Sequence, residues 1–353
     1  MLCQNSRRSV RHAGAATGIR GFPLCPLALV FALALLSPAA RAADHVKFGV
    51  FQVVGTSPVF IAQEKGYFAA EGLDVELVPF TAQEPLVLGL ASGDLDVGAT
   101  AFTGSFYNLA GQGALRIVGG FIHEAPGFQA NTIIASNRAY TAGLKTPKDI
   151  ANHSAAIPEV GNPAEYGLSL VADKYGISLD TLRLMPMGTN PNVISAVVGG
   201  QADMAVVPIS FARPSLQRGD AKLIAYIGDE TPWQLGGVLA STKTANGRPD
   251  VVRRFLHAYK KGVEDYYDAF IAPDGTRRDG PQAPATIAIA TKYTGLPADQ
   301  VEIGIAYYDR EARLDVKDVL HQIAWYRAHG MVKGEFDPNS VIDMRYVEPL
   351  PEK

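Results

Sequence analysis

The stretch from Val46 to Phe80 constrains the fold of this chain more than any other, because it reads as strand, helix and strand in close succession. Val46 to Phe51 is a short apolar run typical of a buried strand. Ser57-Pro58 predicts a helix start, with Ser57 as the cap, because proline at the first helical position loses no hydrogen bond. Gly66 can end that helix in the left-handed conformation, and Leu73 to Phe80 alternates like a half-buried strand. The loop after the first strand of such a βαβ unit lies where open α/β sheets bind ligands.

The first 42 residues differ in composition from the rest of the chain. Four arginines precede an apolar run centred on residues 27–36, and Ala40-Arg41-Ala42 supplies the small residues of a cleavage site. The apolar run is too short to span a bilayer, and no stop-transfer pattern follows it. We therefore predict that residues 1–42 are a signal peptide and that the mature protein is periplasmic, with the general and the twin-arginine export routes both open.

The mature chain lacks several features that would point to other classes of protein. Cys3 and Cys25 both lie in the leader, so no disulfide and no cysteine-based metal site is expected after cleavage. Removing the leader takes away five arginines and no acidic residue, which moves the net charge from −3 to −8 and disfavours nucleic-acid binding. No Ser-His-Asp, H-E-x-x-H, P-loop or G-x-G-x-x-G motif occurs. We therefore expect no catalytic residue, no metal and no cofactor.

Strand and helix patterns alternate from residue 46 to residue 241 and predict two α/β lobes of similar build with largely parallel sheets. Leu88–Val97 and Val197–Val206 share the order helix end, glycine, turn, aspartate and buried strand. Beyond Arg248 the pattern is mostly helical. We expect lobe 1 to comprise residues 43–132 and 234–353, lobe 2 to comprise residues 133–233, and the chain to cross near residues 130–136 and 227–238.

Several motifs carry a family resemblance. The sequences Ile61-Ala62-Gln63-Glu64-Lys65-Gly66-Tyr67-Phe68 and Glu71-Gly72-Leu73-Asp74-Val75 resemble the opening of periplasmic solute-binding proteins of the nitrate, sulfonate and taurine ABC-transporter group. Residues 93–98, 144–150 and 196–203 resemble later landmarks of that family. The resemblance implies a type II periplasmic binding protein fold: two α/β lobes, two crossing segments, and a C-terminal helical region on the first lobe. It also implies a monomer that delivers a small molecule to a permease and its ATPase in the inner membrane.

The same resemblance leaves two alternatives open. The family shares its fold with thiamine-pyrimidine synthases, so an enzyme of pyrimidine synthesis is the first alternative, although the mature chain lacks the cysteine-rich motif of that branch. A ligand-sensing receptor that feeds a signalling partner is the second. Gly161-Asn162-Pro163 stands where sulfonate binders tend to have a Gly-Ser-Thr-type turn, so a sulfonate-like solute, an aromatic acid and a pyrimidine-like compound all remain candidate cargoes.

The predicted binding cleft is formed by the loops at the carboxyl ends of the strands. Each loop precedes a helix whose free N–H groups favour an anion by about 0.3 to 1 kcal/mol at an exposed end. Asn162 is expected to cap a helix that begins at Pro163, with Glu165 at a capping-box position. Helix capping is the alternative role for Thr100, Ser210 and Asn162, solvent exposure for His123, and core packing for the aromatic residues. The predicted ligand-binding residues are Gln52, Thr56, Thr100, Ala101, Phe102, His123, Gly161, Asn162, Pro163, Asn190, Ser210, Phe211 and Trp233.

The same loops suggest the chemistry of the cargo. None of them contains a lysine or an arginine, and Arg213, just beyond the last loop, is the nearest cation. Multiply charged phosphates usually draw at least one cation, whereas Phe102, Phe211 and Trp233 offer apolar surface. We therefore expect a small, singly charged or weakly polar organic molecule with an apolar or aromatic body.

Overall fold

The computed structural model describes residues 42–128 and 130–351, so the predicted signal peptide lies outside the described residues. Among the described residues, no helix combines the length and the hydropathy needed to cross a bilayer. The strands are β1 (Asp44–Phe51), β2 (Leu73–Phe80), β3 (Val97–Ala101), β4 (Leu115–Gly120), β5 (Ile122–Glu124), β6 (Asn131–Ser136), β7 (Ser154–Ile157), β8 (Arg183–Pro186), β9 (Met204–Pro208), β10 (Ala221–Tyr226), β11 (Trp233–Gln234), β12 (Gly236–Ser241) and β13 (Tyr307–Tyr308).

The α-helices follow the strands closely in the chain. They are α1 (Ser57–Glu64), α2 (Tyr67–Ala70), α3 (Gln83–Ser92), α4 (Gly104–Gly111), α5 (Asn137–Ala142), α6 (Pro163–Lys174), α7 (Asn190–Val198), α8 (Ile209–Arg218), α9 (Ile227–Glu230), α10 (Thr242–Gly247), α11 (Pro249–Phe270), α12 (Ala283–Thr294), α13 (Ala298–Ile303) and α14 (Val316–Ala328). Single 3₁₀ turns lie at Val54–Thr56, Pro147–Asp149, Leu179–Thr181 and Pro338–Val341.

Two five-stranded sheets form the frame of the molecule, and they have the same topology. The first sheet has the order β2-β1-β3-β12-β4, and the second, read from one edge, has the order β8-β7-β9-β6-β10. In the first sheet only β12 is antiparallel to its neighbours, and in the second only β6 is. The prediction of two similar, largely parallel α/β sheets is therefore confirmed, and in each sheet the antiparallel strand follows a passage from the other sheet.

The two passages between the sheets run side by side. A small third sheet, which we call the hinge sheet, pairs β5 with β11 and with β13, both antiparallel. The chain leaves the first sheet through β5 and returns through β11. The predicted crossing at residues 130–136 is wrong in position, because Asn131–Ser136 already pair with β9 and β10 as β6. The first crossing lies between Glu124 and Asn131.

The long C-terminal helix α11 packs on the first sheet. Helix α11 is amphipathic, and its buried face includes Phe255, whose ring stacks on Phe48 of β1 at 5.3 Å and on Phe68 at 5.0 Å between ring centroids. Gly262 lets α11 approach α1 closely, because a Cβ at this position would lie 2.2 Å from the carbonyl oxygen of Pro58. The helix therefore forms the main cover of one face of the sheet.

One predicted helix cap is wrong. The side chain of Ser57 does not cap α1, because its hydroxyl donates to the carbonyl oxygen of Val54 at 2.6 Å within the preceding 3₁₀ turn. Thr56 occupies the cap position without a side-chain hydrogen bond, and a proline still lies in the first turn of the helix. Gly66 adopts φ 72°, as expected of the residue that ends the helix.

Candidate functional site

The loops at the carboxyl ends of the two sheets meet at one point. The backbone N–H of Gly104, at the start of α4 in the first sheet's half, donates to the carbonyl oxygen of Gly161 at 3.0 Å. Gly161 lies in the loop between β7 and α6 and adopts φ 79°, a conformation that favours glycine. Met331, just beyond α14, lies against both glycines. The structure thus brings the loop after β3 and the loop after β7 into contact, as the sequence predicted for a cleft between two sheets.

Three polar side chains form a row across this junction. Asn162 Nδ2 donates to Gln83 Oε1 at 3.3 Å, and Gln83 Nε2 donates to Thr100 Oγ1 at 3.5 Å. Gln83 begins α3 after the carboxyl end of β2, and the sequence analysis did not include it among the site residues. Its position at the end of a parallel strand was the signal that could have identified it. The row gives the junction both donors and acceptors that can reorient toward a polar group.

Asn162 caps a helix and also contacts the opposite side of the junction. Its Oδ1 accepts a hydrogen bond from the backbone N–H of Ala164 at 2.9 Å, which confirms it as the N-cap of α6. Its Nδ2 donates to Gln83 on the opposite side of the junction. Pro163 is buried at the first helical position, and the Glu165 carboxylate accepts from the N–H of Gly161 at 2.8 Å. The expected capping box is therefore altered, since Glu165 closes on Gly161 instead of on Asn162.

The residues after β3 differ in part from the prediction. Thr100 and Ala101 are the last residues of β3, so the capping role considered for Thr100 is wrong. Thr103 caps α4 and accepts from the backbone N–H of Phe106 at 3.0 Å. Phe102 is fully buried and stacks on Phe106 at 5.2 Å between ring centroids, so its surroundings support the core alternative. Thr103 caps the helix and Thr100 does not, because β3 continues through Thr100 to Ala101.

The remaining predicted loop residues differ in solvent exposure. Gln52 and Ser210 are exposed, and Thr56 is buried. Ser210 is inside α8, which begins at Ile209 with no side-chain cap, so its capping alternative is wrong. Phe211 on the same helix is 38% exposed.

Two buried polar atoms on the second sheet's helices have no hydrogen-bond partner in the described part of the chain. One is Oδ1 of Asn190, which begins α7 while Thr189 provides the cap. The other is Nε of Arg213, in the middle of α8. A buried polar atom that makes no hydrogen bond has lost its hydration without compensation, so each is a candidate for contact with water or with a ligand.

The two hinge-sheet residues of the predicted site are both buried. His123 is 7% exposed, and burial lowers its pKa to about 4, so the imidazole is neutral near pH 7 and the solvent-exposed alternative is wrong. Trp233 packs edge-on against Tyr166 of α6 at 5.0 Å between ring centroids. Its Nε1 is buried and unpartnered within the described residues. Both side chains are therefore part of the packing around the hinge sheet.

A comparison with family models decides the affiliation of the chain. Residues 55–269, which carry the second sheet, every strand of the first sheet except β1, and the crossings, match the model described as NMT1/THI5 like. The chain belongs to the NMT1/THI5-like family. This agrees with the resemblance drawn from residues 61–68 and 71–75.

Two sequence relatives of this NMT1/THI5-like protein are binding proteins by name. A proposed binding protein from Brucella abortus is 31% identical over 182 residues, which are 51% of this chain and 53% of the relative. The chain thus matches about half the length of that relative. A proposed aliphatic sulfonate-binding protein from Bacillus subtilis is 25% identical over 251 residues, which are 67% of this chain and 71% of the relative.

Solved structures share the fold of this family member. The periplasmic aliphatic sulphonate binding protein SsuA from Escherichia coli superposes with a TM-score of 0.67 at 16% identity, covering 88% of this chain and 94% of that protein. At this identity the likeness establishes the fold alone. The predicted periplasmic binding protein fold is therefore confirmed.

Acidic side chains lie at the junction of this NMT1/THI5-like protein. Burial, and then the charge of Glu84 from the first sheet's side, raise the pKa of Glu159 in the loop after β7. Burial also raises the pKa of Glu165. No cluster of three or more histidine, cysteine, aspartate or glutamate side chains suited to a metal ion occurs in residues 42–128 or 130–351. Burial therefore favours the neutral form of Glu159 and of Glu165 at the junction.

Proposed function

We propose that this chain is the exported solute receptor of an ABC import system. In this proposal it acts as a periplasmic monomer that captures a small organic solute and delivers it to an inner-membrane permease and its ATPase. The solute binds between lobe 1, which carries the first sheet, and lobe 2, which carries the second sheet from β6 to β10. The observation that carries the proposal is the hydrogen bond from Asn162 to Gln83 across the junction, with Gln83 in turn donating to Thr100, since a ligand that touches both sides there favours the closed arrangement.

The cargo that fits best is a singly charged or weakly polar organic molecule with an apolar body. Glu84, Glu159 and Glu165 at the junction offer no positive charge to a multiply charged anion. The unpartnered Oδ1 of Asn190 offers an acceptor, and the unpartnered Nε of Arg213 offers a cationic donor. Phe211 supplies exposed apolar surface on the same helix as Arg213.

A thermal-shift panel of nitrate, sulfonates, phosphonates, aromatic carboxylates and pyrimidines tests the proposal. We expect a rise in melting temperature with an aromatic carboxylate, a sulfonate or a pyrimidine. Gln83→Ala should then weaken binding of that compound by about 2- to 10-fold, because one hydrogen bond contributes about 0.5 to 1.5 kcal/mol. The matched control is Gln63→Ala, since Gln63 is a glutamine whose side chain donates one weak hydrogen bond, at 3.4 Å to the carbonyl oxygen of Val75, and it lies at the far end of α1.

Three results would contradict this proposal in different ways. Tight binding of a phosphonate or of nitrate with no response to the carboxylates would refute the cargo class. Turnover of a bound compound would refute the receptor and favour the enzyme. If Trp325→Phe protein binds its solute without a change in Trp233 fluorescence or in the radius of gyration from small-angle scattering, the closing of two lobes is wrong.

A further inference from the structure

The connections between the two sheets share one buried carboxyl group, that of Glu124. Glu124 ends β5 and is 1% exposed, and its Oε1 accepts a hydrogen bond from Nδ2 of Asn131, the first residue of β6. Its Oε2 is buried and has no hydrogen-bond partner among the described residues. A buried carboxylate with one oxygen unpaired is unfavourable, because the charge loses hydration that no partner replaces.

The returning connection closes over the same group. Gly228 in α9 lies against the backbone of Ala125, so closely that a Cβ at position 228 would be 2.5 Å from the carbonyl oxygen of Ala125. The backbone N–H groups of Asn131 and Gly228 also lie near the Glu124 carboxyl group and favour its charged form. One side chain therefore contacts both connections at the place where they must move apart if the sheets separate.

The charged groups around Glu124 are few and are mainly acidic. Asp229 follows Gly228, accepts a hydrogen bond from the N–H of Gly127 at 2.8 Å, and repels a charge on Glu124. Trp233 of β11 is directly opposite Glu124 and is uncharged. His123 precedes Glu124, so its ring lies on the other face of β5. The further groups on these elements are Tyr307, Asp309, Arg313 and Asp315 facing His123, and Glu230 of α9 paired with Lys174.

These surroundings set the direction in which pH acts. Burial raises the pKa of Glu124 to about 7 from its ordinary value of 4.5; repulsion by Asp229 adds to the rise, and the Asn131 side chain and the N–H groups of Asn131 and Gly228 oppose it. The described arrangement therefore binds the proton more tightly than one in which water reaches the carboxylate. Its advantage is complete below pH 4.5 and is lost as the pH rises from 4.5 to 7.

We propose that Glu124 is a proton-controlled latch of the hinge sheet. The neutral carboxyl group holds the two connections together, and loss of the proton favours an arrangement in which they separate and the carboxylate is hydrated. This property goes beyond solute capture. Because its test uses protein without solute, failure of the latch and failure of the proposed function are separate outcomes.

The test follows Trp233 in a Trp325→Phe background of the full chain, expressed with its own leader and purified without solute. Between pH 4.5 and pH 7 we expect the emission to shift to longer wavelength and the radius of gyration to increase, with no change above that range. Glu124→Gln should keep the low-pH emission and radius throughout, because its side chain stays neutral. Asp229→Asn should move the change to lower pH, since it removes the repelling charge.

Two controls keep the latch falsifiable. Glu159→Gln removes a different carboxyl group with a raised pKa and should leave the transition unaltered. Difference infrared spectroscopy of the unsubstituted chain should show the loss of a protonated carboxyl band over the same pH range. In the Asp229→Asn variant this loss should occur at lower pH. Neither measurement requires the Glu124 variant to fold. An unchanged transition in Glu124→Gln, an emission change without expansion, or an infrared band insensitive to Asp229→Asn would each overturn the proposal.

Discussion

The two five-stranded sheets share their topology and differ in what fills their cores. In each, an aspartate directly before a central strand accepts a backbone N–H of the neighbouring parallel strand: Asp96, before β3, from Lys47 of β1, and Asp203, before β9, from Ser154 of β7, both at 3.0 Å. In each, the antiparallel strand ends in a serine that caps the next helix, Ser241 in the first and Ser136 in the second. The order of strands thus depends on a few repeated polar contacts.

The cores on one face of each sheet differ in their aromatic content. The face of the first sheet under α11 contains stacked rings, including those of Phe48, Phe68 and Phe255. The face of the second sheet under α7 and α8 contains no aromatic residue among its buried members, which are Ile134, Ala156, Val193, Ala196, Val197, Ala202, Ala205, Val207, Ile209, Ala212 and Ala221. Since burial free energy scales with apolar area, the same topology is held by unequal cores.

The strongest way to break the comparison is to remove a ring from the first core. Phe255→Ala should lower the free energy of unfolding by about 3 to 5 kcal/mol, because it leaves a cavity between Phe48 and Phe68. Ile134→Val in the second core should lower it by about 0.5 to 1.5 kcal/mol. Urea denaturation followed by circular dichroism measures both. Equal losses in the two variants would show that the cores do not differ in this way.

The paired aspartates allow a sharper test. Asp96 also accepts from Thr244 Oγ1 at 2.8 Å and pairs with Arg248, whereas Asp203 accepts from Ser154 Oγ at 2.8 Å and pairs with the largely exposed Arg138. Hydrogen bonds to charged groups contribute about 1.5 to 3 kcal/mol.

We therefore expect Asp96→Asn and Asp203→Asn each to destabilise the protein by about 1.5 to 3 kcal/mol, with the larger loss at Asp96. Denaturant midpoints give the ranking, and Asp220→Asn, at an exposed ion pair with Arg218, is the control that should have almost no effect. If Asp203→Asn proves harmless while Asp96→Asn is not, the repeated contact does not organise the second sheet.

The smallest expected difference lies in the serine caps. Ser241 Oγ accepts from Thr244 N at 3.0 Å, and Ser136 Oγ accepts from Ala139 N at 3.1 Å. Replacement of either serine by alanine should lower the free energy of unfolding by about 1 kcal/mol. The two losses, measured by thermal unfolding, should agree to within about 0.5 kcal/mol. A clear disagreement would mean that the two helix starts are not equivalent.

The sequence predicted the repeated features better than the contacts between them. The echo of Leu88–Val97 in Val197–Val206 is periodic and local, and it corresponds to the shared aspartate and strand start in the structure. Strand pairing is not local, so the insertion of β12 between β3 and β4 could not be derived from the pattern. Gln83 was missed because the loop after β2 was not counted as a strand end.

The site predictions failed where one residue decides the local geometry. Thr100 and Thr103 are both threonines before a helix, and only the length of β3 distinguishes the cap from the strand residue. Asn162 was correctly identified as a cap because Pro163 marks the helix start. Burial of Phe102 depends on Phe106 and on the sheet beneath it, which a linear pattern does not reveal.

The position of β12 restricts the order in which the chain can fold. β12 lies between β3 and β4, yet it is made only after the whole second sheet has been synthesised. A nascent chain that ends before residue 236 can pair β1 with β2 and β3, but β4 has no neighbour in that sheet. The first sheet therefore cannot be completed during early synthesis, and contacts over more than a hundred residues must form late and slowly.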